Sequence, residues 1–334
     1  MMRKTDRIKS LVAIAQRVQT DPKKTSVFEQ AYYRNAFFIS EFVEPALNAI
    51  IPWHTEEALA SWLQSVPENT QPKKVGLLLA GNIPFVGWHD LLATFASGNI
   101  AVYKPSQNDE VLIEWLIGSL LEVAPEAASY FQRVERLNDI DALIATGSST
   151  TVAHFNYYFR HIPRVVRGSK SSLGLIYGFE NQEELGPLVD DIMLYFGLGC
   201  RNVTKILVPE NYDFDLLFKA IDRYRFLMDH HKYANNCIYH QAIFLMNSDV
   251  FLSNDVVMLR EMLPIFSPVG VLNYEVYHSL EHAREIIKSH EPDLQCFVSH
   301  AGEFEGSIPF GTSQKPSLDN YADGVDTLEF LKSL

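Results

Sequence analysis

The chain has 334 residues, with 28 Lys and Arg against 41 Asp and Glu and a formal net charge of −13 at pH 7. Hydrophobic residues at 47% and charged residues at 21% allow a sizeable core and exclude wholesale disorder. The acidic balance argues against a nucleic-acid surface, because phosphate contacts need clustered Lys and Arg.

Length alone predicts about two domains. The three cysteines, Cys200, Cys237 and Cys296, are too few for a disulfide framework and fit a reducing, cytoplasmic setting. Near the start, the apolar run Leu11 to Ala15 is too short for a signal h-region, and Gln16 and Arg17 interrupt it. No stretch approaches the ~18–20 apolar residues of a membrane span.

Residues 26–50 read as one helix, with Ser26 and Glu29 as a capping box and Phe28, Tyr32, Phe38, Ile39 and Phe42 roughly on one face. A short helix follows the cap-like Thr55, and the polar stretch Pro67 to Lys74 reads as a loop. Strand and helix then alternate. Lys74 to Ala80 is a buried-strand run, Phe85 to Ser97 is helical in pattern, and Ile100 to Tyr103 is a strand. Asp109 to Val123 is a helix with Leu112, Ile113, Leu116 and Leu120 on its apolar side. Phe131 to Leu137, Ala142 to Ala145 and Arg164 to Val166 are strand candidates, with a helix at Thr151 to Phe159. This alternation predicts a mostly parallel, doubly wound sheet.

The second half is less regular. Strands are expected at Leu173 to Tyr177, Lys205 to Val208, Ala242 to Met246, Val269 to Leu272 and Phe297 to Ser299. Helices are expected at Pro187 to Phe196, with Pro187 in the first turn, at Asp213 to Leu227, and at Leu280 to Lys288. The tail ends in a helical Leu328 to Leu331.

Chemistry is sparse on the surface of this pattern. The Gly-x-Gly-x-x-Gly fingerprint and the P-loop are both missing. Gly147-Ser148 stands between a strand and a helix and suits either a cap or an anion. No metal site is expected: His278 and His282 are four apart but read as a surface helix face, and no cysteine pair has zinc spacing. Cys200 follows Gly197-Leu-Gly199 and precedes Arg201. Glycines allow close backbone approach, and a cation favours the thiolate. Cys237 and Cys296 sit in apolar or aromatic settings and read as core thiols.

In order, these fragments resemble the aldehyde dehydrogenase superfamily. Leu79-Ala-Gly-Asn82-Ile-Pro84-Phe85 resembles its Pro-Trp-Asn-Phe-Pro segment. Ala96-Ser-Gly-Asn99 through Lys104-Pro105-Ser106 resembles its Ala-Gly-Asn-x-x-x-x-Lys-Pro-Ser strand, and Thr146-Gly147-Ser148 its Phe-Thr-Gly-Ser turn. Gly168-Ser-Lys170 resembles Leu-Gly-Gly-Lys, Phe266-Ser-Pro268-Val269 resembles Phe-Gly-Pro-Val, and Pro309-Phe310-Gly311 resembles Pro-Phe-Gly-Gly. Within the superfamily, the tail from Phe310 to Thr327 is similar to the LuxC-type acyl-CoA reductases, although this chain is shorter.

The resemblance implies an α/β fold of the aldehyde dehydrogenase type with N-terminal helices. Residues 1–170 with 305–334 would form a Rossmann-like NADP(H)-binding domain, and residues 171–304 an α/β catalytic domain. Cys200 is implied as nucleophile, with Asn82 and the Cys200 N–H as oxyanion donors. Lys104, Ser106, Gln107, Gly147 and Ser148 are the implied cofactor set, Lys104 at the adenosine ribose and Gly147 and Ser148 at the pyrophosphate.

Three departures from the family pattern shape the expected function. Val166 stands where the hydrolytic general base of aldehyde dehydrogenases is a Glu, so an acyl-enzyme here would pass its acyl group to or from a thiol such as coenzyme A. Gln107 replaces a ribose-clasping Glu, which favours NADPH over NADH as cofactor. Pro264 replaces a Glu that contacts the nicotinamide ribose. The reading is NADPH-dependent reduction of an acyl-CoA or other acyl thioester to an aldehyde. Six aromatics, Tyr195, Phe196, Tyr224, Phe226, Tyr233 and Tyr239, are candidates to line an acyl channel, and Lys104, Arg167, Lys170 and Arg201 are candidate cations for CoA and NADPH. The alternatives are aldehyde oxidation, with His154 or Glu261 as base, and a non-catalytic partner subunit. Self-association, or a complex with acyl-transferring proteins, is the expected quaternary context. The interval where the superfamily carries its oligomerisation arm, Glu56 to Ser65, reads here as helix.

Overall fold

The structure is a computed structural model that describes residues 1–334, apart from the side chain of Ser149. The chain opens with three helices, α1 (Lys4–Gln19), α2 (Lys24–Arg34) and α3 (Ser40–Ile50). The helix expected over 26–50 is therefore two. Asn35 Oδ1 accepts from Phe37 N–H and the Asn35 carbonyl from Phe38 N–H, and this local pairing competes with helix continuation. Ser26 is not the cap: the first helix turn starts at Lys24, and Ser26 Oγ donates to Lys23 O. Thr55 does cap α4 (Glu56–Trp62), its Oγ1 accepting from Ala58 N–H.

A βαβ run follows: β1 (Lys74–Leu78), α5 (Trp88–Ala96), β2 (Ile100–Lys104), α6 (Glu110–Val123), β3 (Phe131–Arg133), β4 (Ala142–Thr146), α7 (Ser149–Tyr158) and β5 (Arg164–Arg167). The five strands form one parallel sheet in the order β3-β2-β1-β4-β5. Val75, Leu77, Ala101 and Leu143 are fully buried, as expected for strands covered by helices on both faces.

From Lys170 to Lys315 the chain builds a second compact unit. Its elements are β6 (Ser171–Leu175), α8 (Gln182–Met193), β7 (Val203–Pro209), α9 (Asp215–Ile221), α10 (His231–Asn247), β8 (Leu252–Ser253), β9 (Met258–Glu261), β10 (Val271–Tyr277), α11 (Leu280–Ser289), β11 (Leu294–Ser299) and β12 (Ile308–Pro309). They form a seven-stranded sheet ordered β12-β11-β6-β7-β10-β9-β8. All its pairings are parallel except β8 with β9.

Two expectations fail here for physical reasons. Helix α8 starts five residues before Pro187, because Asn181 and Glu184 form a reciprocal capping box upstream. The run Ala242 to Met246 lies inside α10, where Phe244 is buried while Leu245 and Met246 are exposed. A short apolar run does not separate strand from helix.

The chain then rejoins the first unit, which consists of Met1–Ser169 and Pro316–Leu334, and ends in α12 (Thr327–Lys332). Residues 305–315, expected with the first unit, belong to the second. There β12 pairs with β11, and Asp191 accepts hydrogen bonds from Gly311 N–H and from Ser313 N–H and Oγ–H. The returning tail is clasped by aromatics: Trp53 Nε1 donates to Pro316 O at 2.7 Å and Trp62 Nε1 to Tyr321 Oη at 2.9 Å. His89, which packs against Trp53, Trp62 and Tyr321, bonds Leu318 O through Nε2. Below them Arg167 is buried, its Nη1 on both oxygens of Asp90 at 2.8 Å and its Nη2 on Thr327 Oγ1 at 2.7 Å. Among the described residues, no helix is long and apolar enough to cross a membrane.

Candidate active site

The expected cofactor residues gather at one edge of the first unit. In the order β3-β2-β1-β4-β5 the direction of strand succession reverses between β1 and β4. Open α/β sheets bind ligands outside the carboxyl ends of the strands at such a switch point. The segments leaving β1, β2 and β4 at that edge are 79–85, 104–107 and 146–148. They carry Asn82, then Lys104, Ser106 and Gln107, then Gly147 and Ser148.

These residues do not all do what their types suggest. Asn82, Lys104 and Gln107 are exposed. Ser106 packs under the first loop: a Cβ on Gly81 would lie 2.3 Å from Ser106 Oγ and 2.4 Å from its Cβ. Only glycine permits that approach. Ser148 caps α7, its Oγ accepting from Thr151 N–H and bonding Thr151 Oγ1. Gly147 N–H donates to Arg167 O at 3.1 Å. The glycine therefore shapes the turn, where a Cβ would meet Thr151 Cγ2 at 2.8 Å, and its own N–H is spent within the fold.

Beneath the Asn82 loop lies a residue the sequence reading passed over. Asp109 is buried, its Oδ1 accepts from Phe85 N–H at 3.3 Å, and Oδ2 has no hydrogen-bond partner. Burial drives this carboxyl well above the ordinary carboxylate range, against the smaller opposing effect of Phe85 N–H. The loop above it holds Phe85 at φ 61°, a conformation uncommon outside glycine.

The second unit carries the thiol. Helix α8 ends at Met193, and Tyr195, Phe196 and Gly197 follow with φ of 56°, 58° and 74°. Two consecutive buried aromatics in the left-handed region are strained, at roughly 1–2 kcal/mol each. A turn over 199–202 then leads into β7, closed by Asn202 N–H on Gly199 O at 3.0 Å. Cys200 occupies its second position, half-buried. Asn202, wholly buried, accepts from Gly199 N–H through Oδ1 at 2.8 Å. Its Nδ2 donates to the carbonyls of Asp191, Ile192 and Leu194 at 3.0, 3.3 and 2.8 Å. Ser172 Oγ donates to Cys200 O at 3.1 Å and lies 3.2 Å from Cys296 Sγ.

The other two thiols are packed into the same unit. Burial pushes Cys237 up to about 11, and a Cβ on Gly270 would lie 2.5 Å from its sulfur. Cys296 is also raised by burial, which the Ser172 hydroxyl and the Arg201 guanidinium only partly offset. None of the three cysteines is in a disulfide. Asp191 is pushed up to about 6 by burial, against its bonds from Ser313 and Gly311.

The candidate cations are mostly committed elsewhere. Arg167 is locked onto Asp90, Arg201 is buried, and Lys170 Nζ bonds Pro292 O. Of those four, Lys104 is the exposed one. Of the six aromatics, Phe226 and Tyr239 are exposed, while Tyr195, Phe196, Tyr224 and Tyr233 are buried. Phe196 and Tyr233 line a cavity with Ile192, Met193 and Val271. His154 and Glu261 are exposed, on α7 and at the end of β9. Asn202, Ser172 and Asp109 escaped sequence reading because buried polar residues in a turn or strand carry no periodic signal. The spacing Gly-Cys-Arg-Asn was the one hint of a side-chain-closed turn.

No family model and no curated protein matches the chain. Solved structures do. A glyceraldehyde-3-phosphate dehydrogenase from Methanocaldococcus jannaschii complexed with NADP is similar at a TM-score of 0.66 and 12% identity, over 93% of this chain and 81% of that one. An aldehyde dehydrogenase from Bacillus cereus in complex with NAD+ gives 0.66 and 12%, over 89% and 72%. One from Mycobacterium tuberculosis, also with NAD+, gives 0.62 and 15%, over 89% and 73%. At such identities the likeness is one of fold: the chain has the aldehyde dehydrogenase architecture, a Rossmann-like unit and a second α/β unit.

Proposed function

We propose that the protein is an NADPH-dependent reductase of the LuxC type that converts an acyl thioester such as acyl-CoA to an aldehyde through a thioester on Cys200. One observation carries the reading: a half-buried cysteine is presented in a hydrogen-bonded turn before β7, while the position of the hydrolytic Glu is Val166, in β5. A nucleophile kept without its hydrolytic base fits acyl exchange with a thiol better than release of free acid.

The carboxyl edge of the first unit suits a dinucleotide. It lies at a topological switch point, and Gly81 and Gly147 let its loops pack against the side chains of Ser106 and Thr151. Lys104 is the exposed cation there, and Gln107 puts no carboxylate beside a 2′-phosphate, so NADPH is the assigned cofactor and NADH the alternative. Held at that edge beside Lys104 and Gln107, NADPH would supply the hydride equivalent for the reduction.

The chain's own residues account for the rest. The Cys200 thiolate attacks the thioester carbonyl, the C–S bond to the leaving thiol breaks, and the acyl group stays on Cys200 Sγ. After hydride addition, collapse of the thiohemiacetal restores the Cys200 thiolate and releases the aldehyde. Asn82, by the family resemblance, and Cys200 N–H are assigned as donors to the oxyanion in both halves. An acyl thioester is the substrate, and association with itself or with an acyl-transferring protein is the proposed assembly.

The test uses radiolabelled acyl-CoA. Label on Cys200, absent in Cys200→Ala and discharged as aldehyde on adding NADPH, is the expected result. Discharge as free acid assigns aldehyde oxidation instead, and no adduct with no cofactor binding assigns a non-catalytic subunit.

A further inference from the structure

We infer that Asn202 and Ser172 are the positioning residues that aim the Cys200 N–H, a role that rests on the acyl-enzyme reading above. Asn202 binds both backbone polar groups of Gly199, the residue ahead of the cysteine. Its side-chain oxygen takes Gly199 N–H at 2.8 Å, and its backbone N–H takes Gly199 O at 3.0 Å. In a planar trans peptide the carbonyl and the following N–H point in opposite directions. Holding Gly199 O inside the turn therefore fixes the direction of Cys200 N–H on the opposite side. Ser172 fixes the next peptide by donating to Cys200 O at 3.1 Å. Both flanking peptide planes are thus set by groups that are themselves buried.

The same Asn202 side chain anchors the turn to the helix before it. The last carbonyls of a helix lack intrahelical partners, and Asn202 Nδ2 covers those of Asp191 and Ile192 and the next one at Leu194. It spans the left-handed run Tyr195, Phe196 and Gly197, so the strained connection is closed from both sides. Only one amide orientation works, because Oδ1 faces an N–H and Nδ2 faces carbonyls. Neither residue reaches the substrate on this account. Their effect is on the direction of an oxyanion donor, which matters for attack on a carbonyl and not for simple alkylation of the thiol.

That difference supplies the test. Full-length Asn202→Ala and Ser172→Ala are compared with wild type in two reactions at Cys200: acylation by acyl-CoA, and alkylation by iodoacetamide, each followed by peptide mass spectrometry. The expected result is a fall of at least about tenfold in acylation, set by the worth of an oriented oxyanion donor, with alkylation and NADPH affinity changed by less than about threefold. Ser172→Ala removes one hydroxyl and spares the α8 anchor, so it decides the matter if Asn202→Ala does not fold. Equal losses in both reactions reduce the pair to general structural support and overturn the inference, as does unchanged acylation in a folded variant. If wild type is alkylated but never acylated at Cys200, the acyl-enzyme reading fails, and the inference falls with it by a separate route.

Discussion

Acidification should loosen the first unit through His54. Its ring is buried, with Nδ1 3.0 Å from Ile50 O and Nε2 3.0 Å from Trp88 Nε1. The indole only donates, so Nε2 must accept and Nδ1 carries the proton: the neutral ring is required. Burial lowers its pKa from 6.5 to about 4, against the weaker pull of the Ile50 and Ile51 carbonyls. A folded pKa below the unfolded one means that the unfolded chain binds the extra proton first. The contribution is fully present above about pH 6.5 and is lost as pH falls toward 4. The full loss is about 3 kcal/mol, and about 2 kcal/mol of it falls between pH 7 and pH 5. For a unit of this size that lowers the melting midpoint by about 4–8 °C. Calorimetry at pH 7 and pH 5, on wild type and on His54→Gln, isolates the effect from other titrating groups. The midpoint should fall more in wild type than in the variant. Parallel falls, or a His54 midpoint near 6.5 by NMR titration, would refute the reasoning.

Three further outcomes follow from the packing. Trp53→Ala removes a buried indole and the donor to Pro316 O; it should cost about 3–5 kcal/mol and expose the tail to limited proteolysis after Lys315. Arg167→Ala leaves the Asp90 carboxylate without its buried partner and should cost about 3–5 kcal/mol in urea unfolding, most of it recovered by pairing Arg167→Met with Asp90→Leu. Gly81→Ala should destabilise by about 1–3 kcal/mol through overpacking. Ser106→Gly should relieve it and Ser106→Ala should not, since the Ser106 Cβ itself is 2.4 Å from the added methyl.

The parallel sheet of the first unit was legible because its strands are short apolar runs between turn residues, and Lys74 to Leu78, Ile100 to Lys104 and Ala142 to Thr146 all form close to where the pattern puts them. The strand ends were legible for the same reason, so Asn82, Lys104 and Gly147 fell at one edge. What the pattern could not carry was side-chain competition. Asn35 splits a helix, Asn181 moves another's start past a proline, and Asn202 closes the cysteine turn. In each case one amide decides between alternatives of nearly equal propensity, and the partner that makes it decisive is fixed only by the fold. Arg167 shows the converse: a cation that reads as a ligand site is consumed by Asp90 and Thr327, brought from far along the chain.

The aromatic clasp also sets an order on synthesis. The second unit is a continuous stretch, residues 170–315, and can close as soon as it leaves the ribosome. The first unit cannot. Its five strands are made early, yet Trp53, Trp62, His89 and Arg167 wait for Pro316, Tyr321, Leu318 and Thr327. At ordinary translation rates the wait is on the order of ten seconds. During that interval the nascent chain shows a bare cluster of indoles and an Arg167 guanidinium without its Thr327 partner, the kind of surface that chaperones hold. Helix α12 is therefore the latch on the unit that holds α1 to β5, and a chain that stops before Thr327 leaves that unit open.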